Sequence, residues 1–506
     1  MKPEKLEQAL EHIRDDQIME AAAPKKRHFF RWAGAVAAVL AIALLAGTLG
    51  GPLAPKSENT GYSAEAAPGD MVLADKVTNL LDPLLLVSAS AARIEPVPDY
   101  EKLSDAQFDQ AVAKWRQDLD ARDALKDDAL AGMMPFLTDS CKIFLQNSNG
   151  ANRVWSPVNG YIALAMLAEA TAGTSRLEAL DLLGCKDLEQ LREQVSAVWE
   201  STYCNEDEKE ICRLASSLWL DDQVSYHDQA LKNLAFYHYA DIYRGNFGTP
   251  QTDQAIQNWI NEKTGKLLKE YTAGITLPDL TVLTLISTVY LQSKWQYDTE
   301  FQKENNTDGI FHSPSGDVEC TFMNHKLFQT SYHWGDSYGA ISLPLTNGCS
   351  MWLILPDEDK TVDTVLEEGQ YLQTVTKDFV EDDPNRQYSK VNIALPKFDV
   401  AQSADLKDGF QEMGLIKVFS PELADFSASI VSTDSLASPV YLSAVQQAAR
   451  VVVDEEGVTA ASYIMMPAAG AAAPPDEIVD FILDRPFLFV IEKNNLPLFT
   501  GIVNTP

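Results

Sequence analysis

Val451-Val452-Val453-Asp454-Glu455-Glu456-Gly457-Val458-Thr459-Ala460-Ala461-Ser462-Tyr463-Ile464-Met465-Met466-Pro467-Ala468-Ala469-Gly470-Ala471-Ala472-Ala473-Pro474-Pro475 changes character twice along its length. The β-branched start reads as a strand. The three acids and Gly457 then read as a hinge, because glycine reaches φ > 0 without steric cost and absorbs a large backbone change. Small residues follow, and the Ala/Gly/Pro tract that ends the stretch should be exposed and open to proteolysis. A strand, a hinge and a strand-compatible loop can together become one longer hairpin. Taken alone, the stretch also fits a plain Ala/Pro-rich surface loop.

Bulk properties narrow the setting. The chain has 506 residues, of which 46% are hydrophobic and 22% charged, enough for one large core or two ordinary ones. A net charge of −33 repels phosphate backbones, so no nucleic-acid partner is expected. None of the six cysteines lies in C-x-x-C spacing, which leaves a zinc or dithiol site without support. Cys204 and Cys212 flank a polar turn and are close enough for a bridge; Cys141, Cys185, Cys320 and Cys349 read as buried thiols.

Toward the N-terminus, residues 1–31 form a polar segment that ends in Lys25, Lys26, Arg27 and Arg31. An uncharged run of Ala, Val, Leu and Ile follows over 32–49. As a helix it would be ~27 Å long at ~1.5 Å per residue, close to a bilayer core. Basic residues ahead of it predict an N-in signal anchor. A cleaved signal peptide is the alternative, although its Ala64-Glu65-Ala66 site lies well past the apolar run. Residues 50–75 read as a flexible tether, and 76–506 as the folded domain. On this reading the protein is a single-pass membrane protein with its domain outside the cytoplasm, anchored or released by cleavage.

Helical periods lead early, at 104–120 and on to about Met133, and again from 136 to 184 with a Ser156-Pro157-Val158 break. Strand-like runs dominate later, at 212–220, 283–291, 339–344, 350–356, 390–396 and 487–492. Helices at 252–271 and 361–379 are interleaved. This order predicts one α+β domain rather than alternating βαβ units.

Catalytic signatures are missing from the sequence. There is no H-E-x-x-H, no G-x-S-x-G, no G-x-x-x-x-G-K-[ST] and no G-x-G-x-x-G. The seven histidines show no metal-ligand spacing. No enzyme activity, cofactor or metal is expected.

The residues around the opening stretch resemble the serpin family. Phe481-Ile482-Leu483-Asp484-Arg485-Pro486-Phe487-Leu488-Phe489-Val490-Ile491 and Pro497-Leu498-Phe499-Thr500-Gly501-Ile502-Val503 are similar to the family's C-terminal signature, with the hinge at the family's distance upstream. Trp155-Ser156-Pro157-Val158 resembles the start of the helix buried under the main sheet. Asn258-Trp259-Ile260 with Thr264-Gly265-Lys266, Leu291-Gln292-Ser293-Lys294-Trp295, the segments around Leu343-Pro344 and Ser350 to Pro356, and Leu395-Pro396-Lys397-Phe398 with Asp425-Phe426-Ser427 follow in order. The resemblance covers roughly 130–506 and, with the anchor ahead of it, describes a bacterial-type, membrane-anchored serpin.

The resemblance implies helices packed on a large, mostly antiparallel or mixed main sheet, with smaller sheets and an exposed reactive loop. It implies a suicide inhibitor of serine proteases, acting as a monomer in a 1:1 covalent complex. The protease cuts the loop, and the hinge side then inserts as a new strand. It assigns the hinge to Glu455, Glu456, Gly457, Val458, Ala460 and Ala461, and the breach to Trp295. It assigns the latch of the main sheet to Ser156, Asn159, Ser287 and Gln447, where the family more often has Asn at the third position and His at the fourth. The family's spacing puts the reactive bond at Ala471–Ala472, with Gly470 and Ala473 as neighbours.

The bait itself can be tested against that role. As an inserted strand, Val458, Ala460, Ser462 and Ile464 would face the core, and all are uncharged. A small residue before the cut suits a shallow specificity pocket, so elastase-like or subtilisin-like proteases are the expected targets. Pro467, Tyr463 and Ile464 depart from the small residues usual there, and proline lacks a ladder donor. Slow insertion would leave a non-inhibitory serpin that is cut as a substrate or acts as a binding protein.

Overall fold

The computed structural model of the chain describes residues 35–46, 84–89, 105–202, 204–207, 210–296, 299–346, 348–377, 383–431, 439–455 and 477–506, all within one unit spanning Ala33–Pro506. In chain order these are β1 (Ala35–Ala46), β2 (Leu85–Val87), α1 (Asp105–Leu145), β3 (Arg153–Trp155), α2 (Pro157–Ala170), α3 (Gly173–Leu182), α4 (Leu188–Thr202), β4 (Cys204–Asp207), β5 (Glu210–Asp221), α5 (Asp228–Tyr237) and β6 (Ala240–Gly245). Next come α6 (Pro250–Lys263), α7 (Lys269–Thr272), β7 (Thr281–Gln292), β8 (Thr307–Ser313), β9 (Gly316–Trp334), β10 (Tyr338–Pro344), β11 (Cys349–Pro356), α8 (Val362–Glu368) and α9 (Gln370–Thr376). The chain closes with β12 (Arg386–Pro396), β13 (Phe398–Asp405), α10 (Lys407–Glu412), β14 (Val440–Val453), β15 (Ile478–Ile482), β16 (Phe487–Lys493) and β17 (Leu496–Val503).

Two mixed sheets carry the domain. The first runs β13-β14-β1-β7-β5-β6-β2, with β4 paired to β5. Among its described pairs only β5–β6 is parallel. The second runs β15-β12-β9-β10-β11-β16-β17-β3, with β8 paired to β9, and its β12–β15 pair is parallel. The expected α+β class holds.

Helix α2 joins the two sheets. Ser156 is its N-cap and Pro157 stands in its first turn, where a missing N–H costs nothing. Every residue of α2 is buried, in keeping with a segment that is apolar on all sides apart from Asn159 and Glu169. It lies against β7, β1 and β17. The aromatic rings of Phe144, Trp155 and Phe410 close its N-terminal end. A second apolar cluster, with Trp219, Tyr243, Trp259 and Tyr290, fills the opposite face of the first sheet under α6.

Three expected helices have other limits. Asp105–Leu145 is one helix rather than two stretches. The 252–271 helix breaks after Lys263, where Gly265 and Lys266 both take positive φ. The 361–379 helix breaks at Gly369, whose φ of 67° ends α8 and starts α9.

The larger correction concerns the apolar run 32–49, expected to be a membrane helix. Over Ala35–Ala46 it is a β-strand, paired antiparallel with β14 on one side and β7 on the other. An uncharged run satisfies its backbone either within one helix or in two ladders, and here the ladders are supplied. No helix among the described residues is long and apolar enough to cross a membrane. The segment 1–31 and the tether 50–75 lie outside the described residues.

Candidate functional site: the hinge and the slot between β14 and β7

Strand β14 delivers the chain to the hinge. Its last residue, Val453, is buried and pairs with Phe398 of β13. Just beyond it, Trp295 Nε1 donates to the Asp454 carbonyl at 3.0 Å. Trp295 is buried and meets Phe301 edge-on with ring centroids 5.3 Å apart. The tryptophan assigned to the breach therefore holds the backbone from which the hinge departs.

Glu455 follows, with its side chain only 4% exposed. Its carboxylate takes Lys397 Nζ at 2.5 Å and the Asn306 amide at 2.5 Å. Burial raises the carboxyl pKa, but the hydrogen bonds from Lys397 and Asn306 outweigh it and hold Glu455 below the usual glutamate range. Sequence reading gave neither Lys397 nor Asn306 a role. The available signal was the buried acid itself, which needs a counter-charge.

The four latch residues lie around the start of α2 and the strands above it, and only Ser287 and Asn159 are hydrogen-bonded to each other. Ser156 Oγ donates to the Leu498 carbonyl at 2.6 Å, and Ser287 Oγ to the Asn159 carbonyl at 3.2 Å. Gln447 Nε2 donates to the Val154 carbonyl at 3.2 Å. All four residues are buried, yet both side-chain polar atoms of Asn159 and the Gln447 Oε1 have no hydrogen-bond partner among the described residues.

A strand separates Ser287 from Gln447. Leu40 is the ladder partner of Ser287 on one side and of Gln447 on the other. Without β1, Ser287 and Gln447 would stand on neighbouring strands. The remaining site residues, Glu456, Gly457, Val458, Ala460, Ala461, Gly470, Ala471, Ala472 and Ala473, lie outside the described residues. Cys204 and Cys212 are ladder partners in the β4–β5 hairpin. The described residues hold no cluster of three or more His, Cys, Asp or Glu suited to a metal ion.

Comparison with known proteins places the chain. The profile of the family described as Serpin (serine protease inhibitor) matches residues 133–506, and the chain belongs to that family. Serpin-Z2B of Oryza sativa subsp. japonica is 28% identical over 418 residues, covering 76% of this chain and 99% of the relative. Alpha-1-antiproteinase of Callosciurus caniceps is 26% identical, covering 77% and 93%. Among solved structures, the thermophilic serpin Tengpin in its native state matches with a TM-score of 0.62 at 23% identity, over 74% of this chain and 93% of that one. At that identity the likeness speaks for the fold alone.

Proposed function

We propose that the protein inhibits serine proteases as a single-use bait, by insertion of the cut loop between β14 and β7. The observation that carries this reading is the slot itself. Strands β14 and β7 stand apart by one strand, and the strand they hold runs antiparallel to both. A loop leaving Val453 and folding back would run in that same direction. The hinge is tied at its base by Trp295 and Lys397, so motion would be confined to residues beyond Glu455.

In the reaction, the protease serine Oγ attacks the Ala471 carbonyl carbon. The Ala471–Ala472 bond breaks, and the amine of Ala472 leaves with a proton from the protease histidine. The acyl ester tethers the protease to Ala471. Insertion from Val458 to Ala471 adds a 14-residue strand, ~46 Å at ~3.3 Å per residue, and carries the protease with it. The complex would be 1:1, formed by a monomer.

No Lys or Arg lies between Gly457 and Pro475, which favours elastase-like or subtilisin-like targets over trypsin-like ones. The decisive experiment mixes the protein with elastase and resolves it on a denaturing gel. With residues 70–506, which lack β1, a band at the summed mass supports the reading, and cleavage near Ala471 without that band defeats it. The second outcome would favour a non-inhibitory serpin, for which Pro467 and Tyr463 in the inserting segment are the specific argument.

An extracytoplasmic site belongs to the same reading, with the run at 32–49, a strand over Ala35–Ala46 in this structure, serving as a bacterial-type anchor only when it leaves the sheet. Its support is the uncharged run behind Lys25, Lys26, Arg27 and Arg31. Membrane fractionation of the full chain tests it, and recovery of the chain in the soluble fraction would refute anchoring.

A further inference from the structure

The slot is already filled by the chain's own N-terminal part. Strand β1 runs antiparallel to β14 from Val36↔Val451 to Ala46↔Val440, and antiparallel to β7 over the same length. The inward residues of its neighbours are Val451, Ala449, Gln447 and Val445 on β14, and Leu291, Val289, Ser287 and Leu285 on β7. Their ladder partners on β1 are Val36, Ala38, Leu40 and Ile42. The intervening rungs hold Ala37, Val39, Ala41 and Ala43, next to Ala448 and Ile286 of the face under α6. Larger residues thus share rungs with the main core, and mostly alanines share rungs with the thinner cluster. That alternation has the period of a strand, not of a helix.

The bait segment is a weaker strand for the same place. From Val458 to Ala471 it carries Pro467, which has no ladder donor, and Gly470, which has no side chain to pack. Ser462 would fall in its inward set, whereas the β1 residues on the corresponding rungs, Val36, Ala38, Leu40 and Ile42, are all apolar. A sheet position holds one strand at a time.

We propose that Ala35–Ala46 is a built-in occupant of the insertion slot, which keeps the hinge out and holds the full chain in a form that is cut as a substrate. This rests on the insertion mechanism proposed above. Filling the slot has a cost that the structure displays: Leu40 divides Ser287 from Gln447, and the amide of Asn159 and the Gln447 Oε1 are left without partners. The same twelve residues cannot lie in a bilayer and in the slot at once, so withdrawal of the segment into lipid would free the slot.

Two measurements on the full chain test this. Ala41 and Gln446 are ladder partners, and facing residues of an antiparallel pair lie within disulfide reach. Ala41→Cys with Gln446→Cys should form a disulfide on mild oxidation, detected by peptide mass. Independently, Leu40→Asp with Ala41→Pro puts a charge and a missing donor into the slot strand, and should expel it. The yield of elastase-bound complex on a denaturing gel should then rise about tenfold over the unmodified chain. No disulfide, or equal and substantial complex from both chains, overturns the proposal. A disulfide in a chain that gives no complex with or without the substitutions sinks the inhibitor reading and leaves the occupancy standing.

Discussion

Lys397 and Glu455 form an ion pair across the base of the hinge, with Nζ and Oε1 2.5 Å apart and the carboxylate almost wholly buried. Lys397 sits between β12 and β13 and is half-exposed; Glu455 is the second residue beyond the β14 strand. The pair joins the edge of the first sheet to the point where the loop departs. Removing the lysine would leave a buried carboxylate with no counter-charge, held by the Asn306 amide and its own backbone N–H. Breaking a buried pair from one side costs about 3–5 kcal/mol, and the exposure of Lys397 puts this case at or below the lower end. Lys397→Ala should lower the melting temperature by several degrees, whereas Lys397→Ala combined with Glu455→Gln should recover part of the loss. An unchanged melting temperature in the single variant would show that the pair does not support the hinge.

The sign of the pH effect follows from the same pair. Glu455 is held below the usual glutamate range in the folded state. Its contribution is therefore fully present above the unfolded glutamate value and is lost as pH falls through the folded one. Glu455→Gln should flatten the acid limb of a stability profile while leaving its neutral-to-basic part parallel to the unmodified chain. An acid limb that keeps its slope in the variant would assign the effect to other groups.

Glu169 offers a stronger case away from the hinge. At the end of α2 it is buried and takes Arg192 Nε and Nη2 at 3.0 and 2.6 Å, the Asn233 amide at 2.9 Å and His238 Nε2 at 3.3 Å. Burial raises its pKa, but hydrogen bonds from His238 and Arg192 dominate and lower it from 4.5 to about 2. The carboxylate form contributes on the order of 3 kcal/mol above pH 4.5, lost progressively between about 4.5 and 2. Denaturant midpoints of Glu169→Gln and the unmodified chain should differ at pH 7 and converge toward pH 2. A constant difference across that range would refute the linkage.

Much of the fold was legible because single residues force it. Pro157 behind Ser156 allows a helix start and little else, and α2 begins there. The apolar runs at 487–492 and 497–503 became β16 and β17, buried along their whole length. Other features depended on distant parts of the chain. Lys397 and Glu455 meet only through the pairing of β13 with β14, which no local pattern encodes. Gly265 and Gly369 ended helices that the apolar period alone would have continued. The run 32–49 was the hardest case: an uncharged stretch offers the same composition to lipid and to a sheet interior, and only the presence of β14 and β7 on either side decides for the strand.

Gly160 marks where α2 meets the aromatic floor. A Cβ there would lie 2.6 and 2.7 Å from Cη2 and Cζ2 of Trp155. The indole cannot swing aside freely, since its Nε1 donates to Ser140 Oγ at 3.1 Å and Phe144 packs on its face. Overpacking of this kind costs about 1–3 kcal/mol. Gly160→Ala should therefore destabilise the fold despite the higher helix propensity of alanine, which a denaturant melt can read. A stabilised variant would mean that the Trp155 ring relocates.

The inserting segment allows a test that does not depend on naming the target protease. Among the bait residues read as facing the core, Ala460 lies three residues past Gly457, early in insertion. An arginine there would have to enter a sheet whose inner face is closed by α2 and lined by Val445, Ala449, Val289 and Leu285. Burying an unpaired charge in such a place costs several kcal/mol, far more than a rotamer adjustment can offset. Deacylation would then outrun insertion. In the Leu40→Asp, Ala41→Pro background, where the slot is free, adding Ala460→Arg should abolish the covalent band and leave only cleaved chain. The same substitution at Ala461, read as facing outward, should leave most of the complex intact. Equal loss at both positions would mean that the alternation assigned to the bait strand is wrong, because a period-two burial pattern distinguishes adjacent residues.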